Sequence, residues 1–192
     1  MSRRLPKFLS EHQMITLALA PDPASLKGVR DRAILAVALA CGLRATELCL
    51  LTPRDVTPSL VFVRRGKFGH QRFVPISRNA HAAVSRYLAA HPAQPDHPLF
   101  RTLDGRPLSR RLLHKLVVGY SRPLGLPSGV HVLRHASATR WLNRGINLQS
   151  VRIMLGHVTI ATTSIYLSTA AHALVSEYRR CLEQAPVGGD AR

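Results

Sequence analysis

A chain of 192 residues is long enough to bury a sizeable apolar core without disulfides or metals, and it suits one domain with at most a small appendage. Lys and Arg number 27 against 10 acidic residues, a formal charge of +17 spread from Arg3 to Arg192, and a compact unit so far from neutrality points to a polyanionic partner, nucleic acid. A membrane is not expected, because the longest strongly apolar run, 33–43, is too short to span a bilayer and is flanked by Arg32 and Arg44, and the opening MSRRLPKFLSEHQ has no signal-peptide core; the expected compartment is the cytoplasm, on the nucleoid.

Ser10 and Glu11 lead an apolar-periodic run to Ala20, which predicts a first helix ended by Pro21 and Pro23. Residues 31–40 read as a second, buried helix that Gly42 breaks, and 44–51 as a short third one that stops before Pro53. Cys41 and Cys49 fall in these apolar stretches; with Cys181 they make an odd number without metal-ligand spacing, as expected of buried thiols in a reducing compartment. The pattern then changes. VFVRR and RFVPI are β-type runs joined by Gly66, Lys67, Phe68, Gly69 and His70, so a hairpin is expected within 60–76. Helices resume at 79–90, 109–120, 132–144, 148–154, 160–167 and 171–182, with a Pro-rich loop at 91–97 that is too short for a linker. The fold class is therefore mainly α with a small antiparallel β-hairpin (α+β), with residues 1–184 forming the domain and 185–192 a polar tail.

Breaking a phosphodiester without a metal takes a nucleophile, cationic donors for the non-bridging oxygens and an acid for the leaving oxygen. The chain offers each. His131 and Arg134, three apart on a predicted helix, share a face and can reach one phosphate, although alone such a pair also reads as a helix start with a solvated arginine. His131 and His135 have the spacing of a metal pair, but Val132 stands where a zincin has Glu and no third ligand is evident, so no metal or other cofactor is expected.

Arg44 opens a helix, where its charge opposes the macrodipole unless an anion docks; Glu47, one turn on, can support it by an ion pair. Lys67 stands between two glycines at the hairpin tip, as a groove-entering lysine or a plain turn lysine, and Arg64, Arg65 and Arg72 beside it favour phosphate contact. Arg110, Arg111 and Lys115, with His114, make a basic face on 109–120 that reads as a DNA contact or a solvated surface. His157 follows Leu155 and Gly156, and Tyr166 lies in the uncharged stretch TTSIYLS; a phenol with pKa near 10 attacks only with a base and positive charge nearby. Tyr87, Tyr120 and Tyr178 read as packing residues.

These residues, in this order, closely resemble the catalytic domain of the tyrosine recombinases, the phage integrase family. The matching pieces are GLRATELCLL around Arg44, RGKFGHQRFVPIS around Lys67, HVLRHASATRWLNRG around His131 and Arg134, and LGHVTIATTSIYLS around His157 and Tyr166, within a resemblance that runs over 5–182. It implies that Tyr166 attacks the scissile phosphate to give a 3′-phosphotyrosyl link while Arg44, Arg134 and His157 stabilise the transition state. Lys67 would then protonate the leaving 5′ oxygen and His131 would assist proton transfer, with no metal or ATP. It further implies double-stranded DNA as partner and a homo-oligomer, a tetramer on DNA, joined through 171–182.

Most members carry a separate helical core-binding domain before the catalytic one, whereas ten residues precede the first predicted helix here, as in the small invertases of fimbrial phase variation. Expected products are integration, excision or inversion. A DNA-binding regulator or fragment of the same fold without turnover, and a type IB topoisomerase-like enzyme that relaxes one duplex, stand beside that reading.

Overall fold

The computed structural model describes residues 9–64, 71–156 and 167–183, and side chains of the last stretch from Leu174 onward. The chain runs α1 (Glu11–Leu19), α2 (Leu26–Cys41), α3 (Ala45–Cys49), a 3-10 turn (Pro53–Asp55), β1 (Leu60–Val63), β2 (Arg72–Pro75), α4 (Arg78–Ala90), α5 (Arg110–Ser121), α6 (Val130–Asn143), α7 (Leu148–Leu155) and α8 (Leu167–Leu182). The mainly helical expectation with one small antiparallel sheet holds.

α1 starts at a reciprocal cap: the Ser10 hydroxyl accepts from the Gln13 N–H at 3.2 Å and the Gln13 side chain accepts from the Ser10 N–H at 2.8 Å. α2 begins five residues before the expected 31, because the Ser25 hydroxyl caps it by accepting from the Gly28 N–H at 3.0 Å, a signal that Gly28 and the charged first turns hid. From Ala33 to Cys41 it is buried on nearly every side, with α1, α4, α6 and β2 packed around it. Alanines at 33, 36, 38 and 40 keep that central helix thin enough for neighbours on all faces.

In the hairpin Val61 pairs with Val74 and Val63 with Arg72 on the inward face, while Phe62 and Phe73 stack on the other at 4.8 Å. The Pro-rich loop is pinned to the body: the Arg101 guanidinium donates to the carbonyls of His91 and Pro92 at 3.3 and 2.7 Å, and Arg54 pairs with Asp96 at 2.9 Å. Tyr87 and Tyr178 are core residues, each 1% exposed, whereas Tyr120 is half-buried and its hydroxyl donates to the buried Asp31 carboxylate at 2.9 Å. Cys41 and Cys181 are buried free thiols; Cys49 is only half-buried, and burial pushes its thiol up to about 11.

α8 starts at Leu167 instead of 171, and its Leu174, Tyr178 and Cys181 are buried inside this chain, at the spacing of one helical stripe. Glu177 fastens the helix to α7 by accepting from the Asn147 N–H, the Asn147 side-chain amide and the Ser150 hydroxyl at 2.9, 2.7 and 2.6 Å. The expected helix at 160–167 falls almost wholly outside the described residues.

Candidate active site

The site forms where α2 turns into α3. Gly42 ends α2 in the left-handed region (φ +55°), and a Cβ there would stand 3.1 Å from the Trp141 ring and 3.2 Å from the Ser137 Cβ. With no side chain at 42, α6 packs directly beneath the turn. Arg134 on α6 then reaches across 92 positions of sequence, its Nη1 donating to the Gly42 carbonyl at 2.8 Å and its Nη2 to the Leu155 carbonyl at 2.6 Å.

Arg44 stands at the start of α3, and Glu47 is three residues on. One Glu47 oxygen accepts from the Arg44 backbone N–H and the other from its Nη1, both at 2.8 Å. Arg72 on β2 takes the same carboxylate from the other side, with Nη1 and Nη2 on the two oxygens at 2.9 and 2.8 Å and Nε on the Met154 carbonyl at 2.7 Å. Burial pulls the Glu47 carboxyl upward, but the hydrogen bonds and charge of Arg72, followed by the hydrogen bonds of Arg44, overcome it and hold the group down at about 2.

Arg134 is pushed the other way for a cation, to about 10, first by burial and then by the positive charges of Arg44 and Arg72, with Glu47 opposing. Arginines 44, 72 and 134 therefore gather round a single carboxylate, an arrangement poised for an anion. His131 is exposed in the first turn of α6, one turn before the half-buried Arg134, and the Arg44 side chain is 23% exposed.

The structure thus brings together Arg44, Glu47 and Arg134, with His131 at the rim. Lys67, Arg65, His157 and Tyr166 lie outside the described residues. Arg72 is a correction: expected at the DNA surface, it is 6% exposed and committed to Glu47 and Met154. Its parity with inward Val74 on β2 carries that signal, since alternate residues of a strand share a face. Arg64 remains at the surface but is paired with Asp55 and rests over the Phe62 ring at 5.8 Å. Arg110, Arg111 and Lys115 are exposed on α5, apart from this cluster in sequence but on a helix packed against α3 and α6. Among the described residues no group of three or more His, Cys, Asp or Glu side chains could hold a metal, and no helix is long and apolar enough to cross a membrane.

The helical domain thus gathers arginines from distant segments around one buried carboxylate. The profile of the phage integrase family matches residues 7–172. The chain is 35% identical over 194 residues to the tyrosine recombinase XerC of Pelotomaculum thermopropionicum, covering 94% of this chain and 63% of that protein. It is 37% identical over 178 residues to the tyrosine recombinase XerD of Pseudomonas putida, covering 88% and 60%. The crystal structure of XerA recombinase superposes with a TM-score of 0.71 at 26% identity, over 93% of this chain and 65% of that one. XerH site-specific recombinase bound to its difH substrate in a pre-cleavage complex gives 0.69 at 22% identity, over 88% and 54%, a likeness of fold. The chain belongs to the phage integrase family, and it spans about three fifths of the length of these curated relatives.

Proposed function

We propose that this chain is the catalytic domain of a tyrosine-type site-specific DNA recombinase. The observation that carries the reading is the convergence of Arg44 and Arg134, from opposite halves of the sequence, on the turn after α2, with Glu47 holding Arg44 and exposed His131 beside them. Such donors match the equatorial oxygens of a phosphoryl group in flight. The reading is supported by family membership and by relatives named tyrosine recombinases.

The Tyr166 hydroxyl oxygen bonds to the scissile phosphorus as the bond to the 5′ oxygen breaks. Lys67 gives its proton to that leaving oxygen, and His131 takes part in removing the tyrosine's proton. Arg44, Arg134 and His157 stabilise the five-coordinate phosphorus between the two states. A 5′ hydroxyl then attacks the 3′-phosphotyrosyl link, expels Tyr166 and restores a phosphodiester, so phosphodiester number is unchanged and no energy source is consumed. Double-stranded DNA is the substrate, with Arg64, Arg65, Arg110, Arg111 and Lys115 as backbone contacts, and the working form is a homo-oligomer on DNA in the cytoplasm. With the apolar stripe of α8 engaged inside the chain, its outward residues are what that helix offers a neighbour.

The test is to express wild type and Tyr166→Phe in cells that hold the native DNA, recover protein-linked DNA under denaturing conditions, and sequence it. Adducts that depend on Tyr166 and cluster at a few sites are expected. Intact DNA occupancy without adducts from the wild type would turn the reading to a binding protein, and scattered adducts with plasmid relaxation but no recombinants would turn it to a relaxing enzyme.

A further inference from the structure

Arg72 is the residue whose placement the reading above leaves without a task, and every nitrogen of its guanidinium is engaged. It ties α3, through both oxygens of Glu47, to the last turn of α7, through the Met154 carbonyl. Arg134 ties the same two places in parallel, from the Gly42 carbonyl to the Leu155 carbonyl. Between them the chain leaves α7 at Gly156, in the left-handed region (φ +69°), and a Cβ on Gly156 would lie 3.0 Å from Arg72 Nη1 and 3.2 Å from its Cζ. The guanidinium is caged between a carboxylate and the bare face of a glycine, so a shift of the end of α7 relative to α3 breaks the charge-assisted hydrogen bonds that Arg72 and Arg134 donate to the Met154 and Leu155 carbonyls. The next residue in sequence is His157.

Resting on the recombinase reading for its functional consequence, we propose that Arg72 is a positioning residue, which clamps the Arg44–Glu47 pair to the α7 exit so that Gly156, the residue before His157 in sequence, stands at a fixed place relative to the arginines. A buried ion pair is weak evidence for stability as such, and a planar fork on two oxygens plus a carbonyl is a geometric specification that an ammonium cannot reproduce. Misplacing a reacting group by about an ångström costs on the order of a hundredfold in rate without touching binding.

The structural arm needs no DNA. Amide hydrogen exchange at Gly156, whose N–H donates to the Ile153 carbonyl at 2.9 Å, is compared with that at Ile34 in the core of α2, in wild type, Glu47→Gln, Arg72→Met and the double variant. Glu47→Gln is expected to speed Gly156 about tenfold relative to Ile34 when Arg72 is present and by less than about twofold when it is Met, because the coupling runs through Arg72. Equal effects in both backgrounds, or none in either, overturn the clamp.

The functional arm recovers adducts and, separately, total DNA occupancy from cells expressing Arg72→Met and Arg72→Lys. Adduct yield per occupied site is expected to fall at least about tenfold in both, with occupancy unchanged. Adducts at wild-type yield, or adducts and occupancy falling in proportion, overturn the positioning role. Absence of adducts from the wild type itself overturns the recombinase reading instead, and the exchange measurement still decides whether the clamp exists.

Discussion

Replacing Glu47 by Gln keeps the shape of the side chain and removes the charge that two bound arginines share. The carboxyl stands at about 2 in place of the ordinary 4.5, and each tenfold change in proton affinity corresponds to about 1.4 kcal/mol, so its ionised form contributes about 3 kcal/mol to folding. A folded-state value below the unfolded one means that this contribution is complete above pH 4.5 and disappears as pH falls toward 2. The cost of leaving Arg72 buried beside a neutral amide, about 3–5 kcal/mol for breaking a buried pair, agrees in size. Urea unfolding followed by far-ultraviolet circular dichroism at pH 7, 5 and 3 is therefore expected to show Glu47→Gln about 3 kcal/mol less stable at pH 7 and 5, with the gap shrinking to about 1 kcal/mol at pH 3. A gap that stays constant with pH would refute the charge argument and assign the loss to shape, and a gap under about 0.5 kcal/mol at pH 7 would show that the arginines do not depend on this carboxylate.

Gly42→Ala forces a side chain into left-handed backbone and against Trp141 and Ser137, and it is expected to cost about 2 kcal/mol of unfolding free energy in urea denaturation while lowering DNA cleavage. Glu177→Ala removes three accepted hydrogen bonds between α8 and the start of α7; a loss of about 2 kcal/mol is expected in thermal unfolding, and a change below about 0.5 kcal/mol would show α8 held by its apolar stripe alone. If the chain contacts about six phosphates, its affinity for duplex DNA falls about a thousandfold between 50 and 200 mM salt in fluorescence anisotropy, and a flat response would contradict the DNA reading.

The helices, the hairpin and the family were legible because each rests on local pattern: apolar period, Gly42 and Pro53 as stops, β-branched and aromatic runs around a glycine turn. Boundaries slipped where a cap lay outside the periodic run, as at Ser25, which carries α2 back to Leu26. Arg44, Glu47 and Arg134 were readable as candidates, since their spacing within helices is local. Their convergence was not, because it depends on α6 passing under Gly42 and on carbonyls of residues 42 and 155, and backbone acceptors leave no trace in residue type. Arg72 was misread for the same reason: a basic residue in a basic neighbourhood looks solvated until its strand parity is weighed against its partner on α3.

The contact between Gly42 and Trp141 has an optical use. The sequence holds a single tryptophan, it is fully buried, its indole N–H has no hydrogen-bond partner among the described residues, and its ring forms the wall behind the glycine whose carbonyl receives Arg134. Tryptophan emission from the unlabelled wild-type chain, excited at the red-edge wavelength where the tyrosines do not absorb, therefore comes from one buried point directly behind the arginine cluster. A titration with DNA, read at that wavelength, watches this wall of the site respond without a dye, a tag or an altered residue.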